Sequence, residues 1–100
     1  MRGIVIDPGA KPELYRLPDT LQELQRFMGG YAQRCPISNR FAALFYLPQA
    51  GQSLPTRHYK SRWFYGRLCL VGWRNARMTD LPMPLAEELL QKFTPVEVTP

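Results

Sequence analysis

The run Gly66-Arg67-Leu68-Cys69-Leu70-Val71-Gly72-Trp73 (residues 66–73) decides the fold. Strand-forming residues alternate along it, so that Leu68, Leu70 and Gly72 share one side while Arg67, Cys69, Val71 and Trp73 share the other. It reads as a core strand set inside a longer basic and aromatic segment. From Arg57 to Arg77 that segment carries six fixed positive charges and no carboxylate, interleaved with Tyr59, Trp63, Phe64, Tyr65 and Trp73. Side chains that neutralise phosphate thus stand beside rings that stack on bases.

Toward the N-terminus, Pro48 to Ser53 reads as a loop, and Phe41-Ala42-Ala43-Leu44-Phe45-Tyr46-Leu47 before it is almost wholly apolar, the most buried strand expected. Ser38-Asn39-Arg40 joins it to a strand from Tyr31 to Ile37, which Pro36 assigns to a sheet edge or a bulge, because proline cannot donate to a ladder. A short helix comes earlier. Asp19-Thr20 caps its start, with Gln22 or Glu23 three residues on to complete a capping box. Leu21, Leu24, Phe27 and Met28 share one face, and Gly29-Gly30 ends the helix in a left-handed cap. Gly3 to Asp7, stopped by the Asp7-Pro8-Gly9 turn, and Glu13 to Leu17, closed by Pro18, form a hairpin whose second strand has one wet face.

Toward the C-terminus, Ala86, Leu89, Leu90 and Phe93 recur at helical spacing, with Pro84 in the first turn and Glu88 oriented toward Lys92 on the outer side. Thr94 to Pro100 reads as a tail. The expected architecture is a single compact α+β domain over residues 1–93 with a tail over 94–100, in the order β-β-α-β-β-β-α. Its sheet is mainly antiparallel, with both helices on one face and the basic residues on the other, partly solvated face.

Composition sets the outer limits. One hundred residues suffice for one core, and 45% hydrophobic against 21% charged residues excludes the disordered class. Thirteen Lys and Arg against eight Asp and Glu give a net charge of +5. Cys35 and Cys69 stand apart from each other and from His58, without the paired spacing of a zinc site, and read as reduced thiols; a bridge between neighbouring strands stays open. The N-terminus lacks an apolar region of signal-peptide length and no span reaches membrane length, so no membrane is expected and the expected location is the cytoplasm.

Val5-Ile6-Asp7-Pro8-Gly9 with Pro12 shortly after, Leu21-Gln22 through Gly29-Gly30-Tyr31, and Leu68 to Gly72 followed by the helix ending at Phe93 form an ordered set. Together they resemble a small family of bacterial, phage and mobile-element proteins known only as a domain of unknown function. Its members share a VIEPG-like opening, a GGY after the first helix, an LPxNR-like segment, a VVG strand and a terminal amphipathic helix. This chain has Tyr46-Leu47-Pro48-Gln49-Ala50-Gly51 where the family has a polar CNEEG-like turn. It also has Thr56 in place of an asparagine before Arg57. The resemblance implies a compact α+β domain and a mobile-element role such as countering a host defence. It supplies no catalytic residue or ligand.

The candidate contacts to an anionic ligand are Arg57, His58, Lys60 and Arg62 in the first half of the basic segment, and Arg67, Arg74 and Arg77 in the second. Tyr59, Trp63 and Trp73 are the candidate stacking rings. The competing reading packs Trp63, Phe64 and Trp73 into the core and leaves the arginines as a solvated face. His58 has no nearby residue to set its tautomer and reads as a surface or hydrogen-bonded histidine. Gly29-Gly30-Tyr31 follows a helix and so fits a C-cap better than a phosphate cradle, which precedes one. No nucleophile–base pair, carboxylate pair or metal set stands out, so an enzyme is the least favoured class, and neither a cofactor nor a metal is expected. The expected function is a non-enzymatic binding protein for nucleic acid or a nucleotide. The alternative is a factor that occludes a host protein. Oligomeric state stays open, since an edge strand ending near Pro36 offers a route to a homodimer.

Overall fold

A computed structural model describes residues 1–37, 39–48, 56–59 and 62–94. Lys60, the segment 49–55 and the tail from residue 95 lie outside the described residues. In chain order the elements are β1 (Arg2–Ile6), β2 (Glu13–Arg16), α1 (Leu21–Met28), β3 (Gln33–Pro36) and β4 (Ala42–Tyr46). They continue with β5 (Arg57–Tyr59), β6 (Arg62–Phe64), β7 (Leu68–Arg74), β8 (Arg77–Thr79) and α2 (Met83–Lys92). The main sheet runs β2-β1-β7-β4-β3, with β8 paired to β7, and every pairing is antiparallel. The α+β class holds.

β7 is the middle strand. It pairs with β1 from Gly3↔Val71 to Ile6↔Leu68, and with β4 from Ala42↔Gly72 to Phe45↔Cys69. β3, carrying Pro36, lies at one edge as its proline requires. β2 lies at the other edge, and all four of its residues are exposed rather than one face only.

The two helices cover opposite faces of the sheet, not one. Ile4, Ile6, Leu44, Leu68 and Leu70 point to the side where Leu85, Ala86, Leu89 and Phe93 of the α2 region pack. Val5, Ala43, Phe45, Cys69 and Val71 point to the side of Leu24 and Met28 of α1. The cause is legible in β4 and β7: both carry apolar side chains at every position through their middles, so each face must be covered. Each fully buried leucine there stabilises the fold by roughly 1.5–3 kcal/mol. A broad solvated face for the basic residues is therefore absent, and the sheet's ends receive them instead.

Two hairpins add to the expected order. β5 and β6 pair with each other, and Tyr59 and Phe64 fold down into the core on the α2 side. β7 turns into β8 through Asn75 and Ala76, both with positive φ (52° and 58°), the backbone of a two-residue hairpin turn. The local signals at α1 act as expected: Thr20 Oγ1 accepts from the Glu23 N–H at 3.2 Å, and Gly29 closes the helix at φ 103°.

Candidate functional site

β7 separates the expected site residues into two groups. Arg67 and Trp73 share a side, but six residues of extended strand hold them roughly 20 Å apart.

At the first end, near the β5–β6 hairpin, most of the charges are committed to structure. Arg57 is only 1% exposed; its Nε donates to the Phe93 carbonyl at 2.9 Å, and its other nitrogens donate to the carbonyls of Thr56 and Ala10, each at 2.6 Å. It ties β5 to the end of α2 and to the loop after β1, and is closed to an external anion. Arg67 forks onto Asp7, with Nε to Oδ1 at 2.7 Å, donates to the Phe27 carbonyl at 3.2 Å, and lies 4.5 Å from the Phe27 ring centre. The Asp7 hydrogen bond is the main cause that raises the Arg67 pKa further above its usual value. Asp7 is thus the partner of a clamp that joins β1, β7 and the last turn of α1. Burial corrects the expected role of Arg57 as an accessible ligand contact, while Arg67, its side chain 34% exposed, is held by Asp7.

The other residues of this end are engaged with one another. His58 stacks on Trp63 at 4.4 Å between ring centres, and Tyr59 is buried against Phe93 at 5.8 Å. The burial of Tyr59 removes it as a stacking platform. Arg62 donates to the Tyr46 hydroxyl at 3.0 Å, which in turn donates to Gln33 Oε1 at 3.0 Å. That hydroxyl is the first cause holding the Arg62 pKa above its usual value. Cys69 is fully buried at this end of β7, and desolvation pushes its thiol up to about 12, with Arg67 opposing the shift.

The opposite end of β7 carries the open site. A cleft of about 580 Å3 lies between the β7–β8 hairpin, the chain entering β4 and the start of α2. Phe41, Asn39, Arg74, Thr79 and Asp80 line it, Pro82, Pro84 and Leu85 close the helix side, and Trp73 borders it while its ring packs on the α1 side of the sheet, 6.2 Å from that of Phe45. The Phe41 carbonyl accepts from the Trp73 N–H at 2.9 Å, which brings the two residues side by side. Asn39 Oδ1 accepts from the Phe41 N–H at 2.8 Å and so sets the turn that leaves Phe41 43% exposed. A guanidinium lies over each ring: Arg34 is 4.7 Å from the centre of Trp73, and Arg40 is 4.9 Å from that of Phe41.

Arg74 and Arg77 are exposed and face each other directly across the hairpin. Neither guanidinium has a hydrogen-bond or ion-pair partner among the described residues, in contrast to Arg57, Arg62 and Arg67. Asp80 Oδ1 accepts from the Arg2 N–H at 2.6 Å, so the cleft's one carboxylate is fixed in place as an acceptor. The start of α2 carries no side-chain cap, and its N-terminal partial positive charge borders the same space.

Of the expected residues, this cleft gathers Trp73 and Arg74, with Arg77 opposite Arg74. It adds Asn39, Phe41 and Asp80, which sequence reasoning missed. The available signal was Asn39-Arg40-Phe41, a turn-forming residue followed by a cation and a ring at the mouth of a strand. Among the described residues, no three of His, Cys, Asp and Glu come together as a metal site. Among the described residues no helix is long and apolar enough to cross a membrane. Comparisons with protein-family models, with curated proteins and with solved structures give no match to this chain.

Proposed function

We propose that this protein is a non-enzymatic binding module, and that its cleft at the β7–β8 end of the sheet takes an anionic ligand with a flat ring. A nucleotide, free or within single-stranded nucleic acid, has that chemistry. The observation that carries the reading is one cleft lined by the half-exposed Phe41 and by Arg74, whose guanidinium has no partner among the described residues. Rings offer stacking surfaces, cations offer phosphate contacts, and the fixed Asp80 carboxylate offers an acceptor for a base amino group. The volume suits the purpose, since small-ligand sites commonly fall between roughly 300 and 1,000 Å3.

The test uses the Trp63→Phe protein, in which Trp73 is the remaining tryptophan and borders the cleft. Titration with mononucleotides and with short single-stranded oligonucleotides is expected to quench Trp73 saturably. Arg74→Gln should weaken that binding by about tenfold, the loss of one charge-assisted contact. A Trp73 signal that stays flat with every nucleotide and oligonucleotide would sink the reading.

A further inference from the structure

The β7–β8 hairpin joins two unfavourable local choices. Arg74 and Arg77 are directly opposite, which places their Cβ atoms roughly 5 Å apart, and like charges at that spacing destabilise a hairpin. Ala76 sits at φ 58°, in a turn position where glycine carries no steric penalty. The two-residue turn holds the two arginines opposite each other, and Arg74 lines the cleft.

Charge balance then narrows the ligand. One internal phosphodiester brings a single negative charge and would offset only one of the two arginines. A terminal phosphate monoester brings a charge near −1.5 to −2 at neutral pH and three acceptor oxygens, enough to engage both. We propose that the Arg74–Arg77 pair is a binding site for a terminal phosphate monoester, so that the preferred ligand is a nucleotide carrying such a phosphate, free or at a strand end. This rests on the cleft reading above and sharpens it. The base would occupy the cleft beside Phe41, Pro82 and Pro84, while the phosphate would bridge the hairpin.

The experiment compares a nucleoside, its 5′-monophosphate, a tetranucleotide with a 5′-phosphate, the same tetranucleotide without it, and inorganic phosphate alone. Binding is read from Trp73 fluorescence in the Trp63→Phe protein, and independently from the Trp73 indole N–H in NMR spectra of the unsubstituted protein. Phosphorylated forms are expected to bind at least about tenfold more tightly than their unphosphorylated counterparts. Arg77→Gln, at an exposed position, should collapse that ratio to within about twofold. Lowering the pH from 7.5 to 5.5 should shrink the ratio as the monoester dianion takes up a proton to become the monoanion, with a pKa of about 6. The monophosphate and the phosphorylated tetranucleotide separate a free nucleotide from a strand end as the source. Equal affinity of phosphorylated and unphosphorylated tetranucleotides, or a ratio unchanged in Arg77→Gln, overturns this inference while the cleft reading stands. If nothing with a base perturbs Trp73, both fall.

Discussion

Arg57 brings a full charge into the interior and distributes it over carbonyl oxygens from three separate parts of the chain, Ala10, Thr56 and Phe93. Its planar fork suits that task, because nitrogens at fixed angles can serve several acceptors at once. Removing the fork leaves carbonyls without donors, each worth roughly 1–3 kcal/mol when buried. Arg57→Met is therefore expected to cost more than about 3 kcal/mol, and Arg57→Lys to fare little better, since an ammonium cannot reproduce the fork. For a domain of this size that corresponds to a fall in Tm of more than about 12 °C. Thermal melts followed by circular dichroism check it, and a fall under about 4 °C would show that those carbonyls find other partners. Nothing local in the sequence marks this role. Thr56 is adjacent, but Ala10 and Phe93 come near only through the tertiary fold, so Arg57 is indistinguishable along the chain from the uncommitted Arg74.

At the scale of elements, the parts whose signals are local were readable and those that depend on neighbours were not. The N-cap at Thr20, the left-handed Gly29, the edge strand ending in Pro36 and the alternation along β7 each follow from a few consecutive residues. Which face a helix covers depends on the order of strands in the sheet, and that order is set by pairing across the whole chain. The β7–β8 hairpin has a further constraint at Gly72, which lies between Ala42 on one neighbour and Thr79 on the other. A methyl group there would run into the Asp80 carbonyl and the Thr79 hydroxyl. Gly72→Ala is accordingly expected to push β8 off β7, to cost roughly 1–3 kcal/mol, and to loosen the Asp80–Arg2 contact beside the cleft. Amide exchange measured by NMR provides the check: the Arg2 and Thr79 N–H groups should lose protection in the variant, while Leu44 and Leu70 keep theirs. Uniform exchange rates between the two proteins would show that the strand tolerates the methyl group.

Across the whole molecule, the basic and aromatic segment that is continuous in sequence becomes two separate regions, because a seven-residue strand runs through it and carries its two halves to opposite ends of the sheet. Proximity along the chain therefore overstated the site: Arg57, Tyr59 and Arg67 hold the fold together, and only Trp73, Arg74 and Arg77 reach the cleft end. Conversely, Phe41 and Asp80 are distant in sequence from each other and meet there because β4 and β8 flank β7 on opposite sides. This division makes a quantitative prediction about charge. Both ends contribute to the overall positive field, so removing any arginine should slow association slightly, but in the proposed binding mode the groups that touch a phosphate are confined to one end. For a single-stranded ligand the slope of log affinity against log salt falls by about 0.7 for each phosphate that is no longer neutralised. Arg74→Gln and Arg77→Gln together are expected to reduce the slope by about 0.7, because both engage one phosphate, whereas Arg62→Gln, whose guanidinium rests on the Tyr46 hydroxyl at the far end, should leave it unaltered. Titrations of one oligonucleotide at several salt concentrations measure both. An equal reduction of slope in Arg62→Gln would mean that the ligand spans the two ends, and the cleft would then be one part of a longer path across the sheet.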